Sequence, residues 1–202
     1  MNNEVKKGRP KTFNTEHANK IAMEIYWEEG IENVSLNEIC RKIGESKPSV
    51  YREYGGEQGL QLAAFKLYYK KRIEPVGKIL LSPEGFVKNL HSAFECLINS
   101  HFEENKSYSC MYNKESLYPS KNLSAECKNF IEKKDKEIVV FLKEAILEAI
   151  DKKEINKDIN IEIYSEYIFN QIKLIAALSN KKLPKSVLSG MVDLIIAPLR
   201  NN

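Results

Sequence analysis

The sequence has no long apolar run. Its strictly apolar stretches, such as Ile138 to Leu142, stop far short of the roughly 20 residues that span a bilayer, so no membrane partner is expected. The N-terminus is polar and basic without an apolar core segment, which argues against a secretory signal. Cysteine is scarce: the four are Cys40, Cys96, Cys110 and Cys127, and no two stand at the two-residue spacing of a metal knuckle. That usage fits a reduced, cytoplasmic protein. Glycine and proline are few, nine and seven in 202 residues, and proline falls mainly between periodic segments. Helices joined by short turns suit that pattern. Strand-like alternation, internal repeats and low-complexity tracts are missing too.

Catalytic signatures are equally sparse. There is no Gly-rich phosphate loop and no His-Glu-x-x-His zinc motif. Di-iron bundles need Glu three residues before His, but Asn14, Lys88 and Ile98 precede His17, His91 and His101. His91, Cys96 and His101 follow each other at five-residue steps, which put them on different faces of a helix. A Cys nucleophile with a His base stays open, because such pairs need not be close in sequence. No enzyme activity, cofactor or metal is otherwise expected.

What is present is a folded-protein composition, 43% apolar and 29% charged, with a net charge of only +3. Residues 1–72 hold that whole excess, thirteen Lys/Arg against ten Asp/Glu. It is concentrated in Lys6, Lys7, Arg9 and Lys11. A basic arm of this kind can lie along phosphates or enter a minor groove, or be a solvated tail.

Helical periodicity then runs along the chain. A first helix is expected from near Thr15, with Thr15 as its cap and Ile21, Ala22, Ile25 and Tyr26 as its apolar stripe, ending at Gly30. Ser35-Leu36-Asn37-Glu38 reads as a capping box that opens a second helix of about two turns, closed by Gly44. Ser46 caps a third, with Pro48 in its first turn and Gly55-Gly56 at its end. Two short helices joined through a Gly-containing turn make a helix-turn-helix. Longer helices are expected at about 57–80 (kinked by Pro75), 83–102, 107–117, 120–152, 159–179 and 184–199. The fold class is therefore all-α.

On the third helix, Val50 and Tyr54 share a face that can pack on Leu36, Ile39 and Ile43. Lys47, Pro48, Tyr51 and Arg52 fall on the other side, a short polar and cationic face that suits a major groove. Ser46 and Lys47 sit at the helix N-terminus, where free N–H groups favour an anion. The same pattern also fits a plain helical hairpin with a solvated face.

Residues 8 to about 62 resemble the DNA-binding domain of the TetR (tetracycline-repressor-like) family. The matching pieces are Gly8-Arg9-Pro10, Ile31-Glu32-Asn33-Val34-Ser35-Leu36, then Ile39 and Gly44, then Ser46-Lys47-Pro48-Ser49-Val50-Tyr51, Tyr54-Gly55-Gly56 and Leu60. The resemblance implies an arm and helix-turn-helix domain over residues 1–56. A larger helical ligand-binding and dimerisation domain would follow over residues 57–202. Ser35 would meet phosphate; Lys47, Pro48, Ser49, Tyr51 and Arg52 would face double-stranded DNA; Tyr54 would pack behind them; Arg9 would reach the backbone or minor groove. Many relatives carry Lys at the position of Glu57, where this acidic residue would repel phosphate.

The same resemblance implies a homodimer through the last two helices, a ligand-responsive repressor of a near-palindromic operator, and a small apolar or aromatic inducer. Apolar stripes Ile168, Ile172, Ile175, Leu178 and Val187, Met191, Leu194, Ile195 are compatible with such a dimer, or with completion of a monomer core. Phe86, Leu90, Phe94, Leu97, Cys110, Met111, Phe130 and Ile131 are the candidate pocket residues. Cys110-Met111 falls where one branch of the family carries Gly-Cys-apolar, with Ser109 here in place of Gly. Tyr108, Tyr112 and Tyr118 would add hydroxyls. The rival reading is a helical ligand-binding or protein-interaction module that does not bind DNA, suggested by Glu53 and Glu57 beside the exposed face.

Overall fold

The computed structural model describes residues 13–103, 109–181 and 183–200. Among the described residues ten α-helices follow one another, and no strand occurs. The first four are α1 (Thr15–Glu29), α2 (Leu36–Ile43), α3 (Lys47–Tyr54) and α4 (Glu57–Tyr68). Then come α5 (Glu74–Ile79), α6 (Phe86–Glu103), α7 (Met111–Leu117), α8 (Ala125–Asp151), α9 (Ile161–Asn180) and α10 (Lys185–Ile196).

Local chemistry explains most boundaries. Asn14, not Thr15, caps α1: its side chain accepts from the His17 N–H at 3.0 Å. Thr15 lies inside the first turn and donates its hydroxyl to Glu53 Oε1 at 2.9 Å instead. Ser35 caps α2 by accepting from the Glu38 N–H, while the Glu38 carboxylate turns to Arg41, 3.8 Å away. Gly44 and Gly55 close α2 and α3 in the left-handed region, at φ 77° and 75°.

The long helix expected over 57–80 is broken. A π-helical turn at Tyr69–Ile73 separates α4 from α5, one turn before Pro75. Pro75 has no N–H to donate, and the wider turn is how the chain accommodates it. Helix α8 starts at 125 rather than 120 because two serines act first. Ser120 gives both its N–H and its hydroxyl to the buried Glu115 carboxylate at 2.7 Å, and Ser124 caps the helix at Cys127.

Two apolar cores result. The first joins α1 to α4 with Met111 and Tyr112 of α7, with Leu123 just before α8, and with Cys127 and Ile131 at its start. The second joins α6, the later part of α8, α9 and α10. A division after residue 56 therefore cuts through the first core, to which α4 contributes Leu60, Ala64, Phe65 and Tyr68.

Candidate nucleic-acid interface and cavity

Helix α3 is held against the first core from one side only. Val50 is fully buried, while Lys47, Pro48, Tyr51 and Arg52 are exposed, Tyr51 at 54%. The Tyr51 ring lies beside Gly56, where an added Cβ would come within 3.6 Å of it, and otherwise stands open to solvent. Ser46 spends its acceptor on the Ser49 N–H and shares a 3.0 Å hydroxyl hydrogen bond with Ser49. These two serines thus set the N-terminal turn and expose Lys47 and Pro48 beside it. Ser35 stands exposed at the start of α2.

Tyr54 belongs to the packing side. It is half-buried, its hydroxyl donates to Asn19 Oδ1 at 2.7 Å, and its ring meets Phe13 edge-on at 5.8 Å. Burial pushes its phenol up to about 12. Its hydroxyl is therefore committed to α1, in keeping with a place behind the exposed face. Arg9 lies outside the described residues.

One glycine that sequence reading passed over holds α3 in place. A Cβ on Gly59 of α4 would fall 1.9 Å from the Tyr54 carbonyl oxygen. Only a residue without a side chain lets α4 approach the end of α3 so closely. Glu57 is half-buried at the first position of α4, where the helix N-terminus favours its charge.

A cavity of about 400 Å³ lies between the two cores. Of the expected pocket residues, Leu90, Phe94, Leu97 and Cys110 line it. Four others do not. Phe86 is buried in the second core, Met111 and Ile131 in the first, and Phe130 packs edge-on against Tyr69. Periodicity shows which residues are buried, not which buried residues border empty space. Tyr112 also lines the cavity, Tyr118 is 79% exposed, and Tyr108 lies outside the described residues.

The residues missed are informative. Trp27 reaches the cavity from α1, with its indole N–H on the Ser109 carbonyl at 3.0 Å and the Arg72 guanidinium 4.9 Å from its ring centre. Lys173 of α9 and Phe141 of α8 also line the wall. Cys110 lies within reach of the Tyr68 hydroxyl, and burial pushes its thiol up, so it stays protonated at neutral pH.

On α9 and α10 the expected stripes divide. Ile168, Ile175 and Ile195 are buried within the chain, and Ile172 borders the cavity. Facing out are Ile163, Tyr167 and Leu174 on α9, which lie outside the expected stripe, and Val187 and Leu194 on α10, which belong to it. Leu194 is 74% exposed and Ile163 67%.

Comparison with known proteins agrees with this architecture. Residues 20–64 match the family model described as "Bacterial regulatory proteins, tetR family". The chain is 26% identical over 168 residues to the uncharacterized HTH-type transcriptional regulator YezE of Bacillus subtilis (strain 168), covering 83% of this chain and 86% of that protein. It is 34% identical over 62 residues to the HTH-type transcriptional repressor ComR of Escherichia coli (strain K12), 31% of this chain and 30% of the repressor. Among solved structures, a cysteine mutant of the TetR family transcriptional regulator CifR, complexed with 26-bp double-strand operator DNA, superposes with a TM-score of 0.81. That match has 16% identity and covers 95% of this chain and all of the other. Reduced NemR of E. coli gives a TM-score of 0.77 at 14% identity, over 90% of this chain and 95% of NemR. Residues 20–64 thus carry the helix-turn-helix segment of the tetR family of bacterial regulatory proteins, and nearly the whole length shares the fold of TetR family regulators.

Proposed function

We propose that this regulator binds a near-palindromic DNA operator as a homodimer, represses transcription from it in the cytoplasm, and is released by a small molecule bound in the central cavity. The observation that carries the reading is the outward face of α3. Lys47, Pro48, Tyr51 and Arg52 project from a helix whose other side is buried and whose two ends are fixed by Ser46 and Gly55. Ser35 and Ser49 flank that face, and Arg9 would extend it along the backbone. A short rigid helix with cationic and hydroxyl groups at its N-terminal end fits a major groove. That CifR is solved on its operator supports the same placement.

Dimerisation is supported by the outward stripe on α9 and α10, which leaves large apolar side chains in water in a single chain. Two helices from each copy would close a four-helix interface. Repression is supported by the ComR likeness over the helix-turn-helix. The cavity has the size of a small-molecule site and touches both cores, so an occupant would bear on α1 and α4 directly. Residues 1–56 would then read DNA, and residues 57–202 would bind ligand and partner.

The test is selection of bound duplexes from a random pool. An enriched inverted repeat is the expected result. Absence of any enriched sequence would remove the operator-binding reading.

A further inference from the structure

Lys173 is 6% exposed, yet it is held as an ion rather than left stranded. Its ammonium donates to Ser116 Oγ at 2.7 Å and to Asp135 Oδ2 at 2.9 Å. Asp135 is filled by its neighbours as well: Tyr112 donates to Oδ1 and Ser116 to Oδ2, each at 2.7 Å. Burial and the Asp135 carboxylate push the Tyr112 phenol well above its ordinary value, so it remains a donor. An ammonium has three N–H bonds, and two are used within this network. No third oxygen partner meets it among the described residues; the nitrogen lies 4.0 Å from the centre of the Phe169 ring, a weaker cation–π contact, and both residues line the cavity.

The charges around the cavity are not evenly spread. Glu74 and Glu137 reach its lining from exposed positions, and Lys134 holds Glu137 at 2.7 Å. Asp135 is not among the lining residues and stands behind Lys173. The buried wall therefore presents Lys173, with the half-buried Arg72 beyond it, against aromatic and aliphatic surface. A cationic guest would meet like charge, and a wholly apolar one would add no oxygen acceptor to the two that the ammonium already has.

We propose that the cavity takes a molecule with an aromatic body and one oxygen acceptor, a carboxylate or a carbonyl, received by Lys173. This rests on the reading of the cavity as a ligand site, and it specifies the chemistry of that ligand. The body would lie among Phe94, Phe141 and Phe169. The Asp135–Ser116–Tyr112 network holds the ammonium in place, so the acceptor meets a fixed donor rather than a mobile side chain.

Three probes of matched shape test it by titration calorimetry: 4-ethylbenzoate, 4-ethylacetophenone and 4-ethyltoluene. At least one oxygen-bearing probe should bind about tenfold or more tightly than the hydrocarbon, as a hydrogen bond to a charged donor implies. A carboxylate preference over the ketone would mark an ion pair, and equal binding of the two a hydrogen bond; both support the inference. Lys173→Met should erase the preference while hydrocarbon affinity stays. The double variant Lys173→Met/Asp135→Asn, which strands no charge, should do the same should the single one misfold. A preference that survives in both variants, or equal binding of all three probes to the native protein, overturns the inference. Trp27 is the only tryptophan and lines the cavity, so its emission should change on binding. Binding without that change places the probe elsewhere and also overturns it. If none of the three binds, the ligand-site reading itself falls, and this inference with it.

Discussion

Gly59→Ala is a one-methyl change at a half-buried helix position, and it should disable the regulator. The new Cβ would sit 1.9 Å from the Tyr54 oxygen and 2.9 Å from its carbonyl carbon. Ordinary contact begins near 3.4 Å, so α3 must move by more than an ångström relative to α4. The obstacle is backbone, which cannot swing aside as a side-chain tip can. Overpacking of this kind costs about 1–3 kcal/mol, and this contact belongs at the upper end. Alanine returns up to about 1 kcal/mol through helix propensity. The net loss of about 2 kcal/mol lowers Tm by about 4–8 °C in a chain of this size. The larger effect is expected on DNA, because the groups proposed to face the groove ride on the displaced helix. Affinity for a selected duplex should fall at least about tenfold, since each well-placed base contact is worth about 1–3 kcal/mol. Thermal unfolding by circular dichroism and fluorescence anisotropy on the duplex measure the two effects. The exposed neighbour Gln58→Ala should leave stability within about 0.5 kcal/mol of native. Native Tm and native affinity in Gly59→Ala would refute the argument that this close approach positions α3.

Lys47→Ala and Tyr51→Ala should weaken duplex binding without lowering the protein's stability, because both side chains are exposed. If each copy of Lys47 neutralises one phosphate, Lys47→Ala should reduce the slope of log affinity against log salt by about 1.8; an unchanged slope removes Lys47 from the phosphate contacts. Glu57→Gln should tighten DNA binding a few-fold at low salt, while losing about 0.3–1 kcal/mol of helix-terminus stabilisation. Unaltered affinity there would mean that Glu57 faces no phosphate. Leu194→Asp should convert the dimer to monomer in sedimentation velocity and abolish binding to the full inverted repeat. A native protein that sediments as a monomer would contradict the assigned face. Gly190 has open space around it in the single chain, so Gly190→Ala should stabilise an isolated helix by about 0.5–1 kcal/mol. A weaker dimer in that variant would show that the partner's backbone approaches there.

The helix-turn-helix was legible in the amino-acid order because its determinants act within a few residues. Ser35 and Ser46 cap the N–H three positions ahead, and Gly44 and Gly55 supply the left-handed step that ends each helix. Val50 and Tyr51 are adjacent, and helix geometry alone sends one inward and the other out. Close alternatives were less secure even at this range: Asn14 and Thr15 are both competent caps, and the choice fell to Asn14 once Thr15 found Glu53, 38 positions away.

The cavity and the outer face of α9 were decided by the tertiary structure. Helix α9 is apolar on more than one side, so its period cannot tell which stripe meets its own core. Packing turned Ile168 and Ile175 inward and left Ile163, Tyr167 and Leu174 in water. The cavity depends on Trp27, Phe94, Cys110 and Lys173 meeting from four distant segments, and on the space they fail to fill. Gly59 carries no signal in a one-dimensional pattern, because what it avoids is another helix's carbonyl. Short-range hydrogen bonds and helix period are properties of a segment and can be read from it; empty volume, close approach and a shared ammonium are properties of several segments at once, and exist only when the chain has folded.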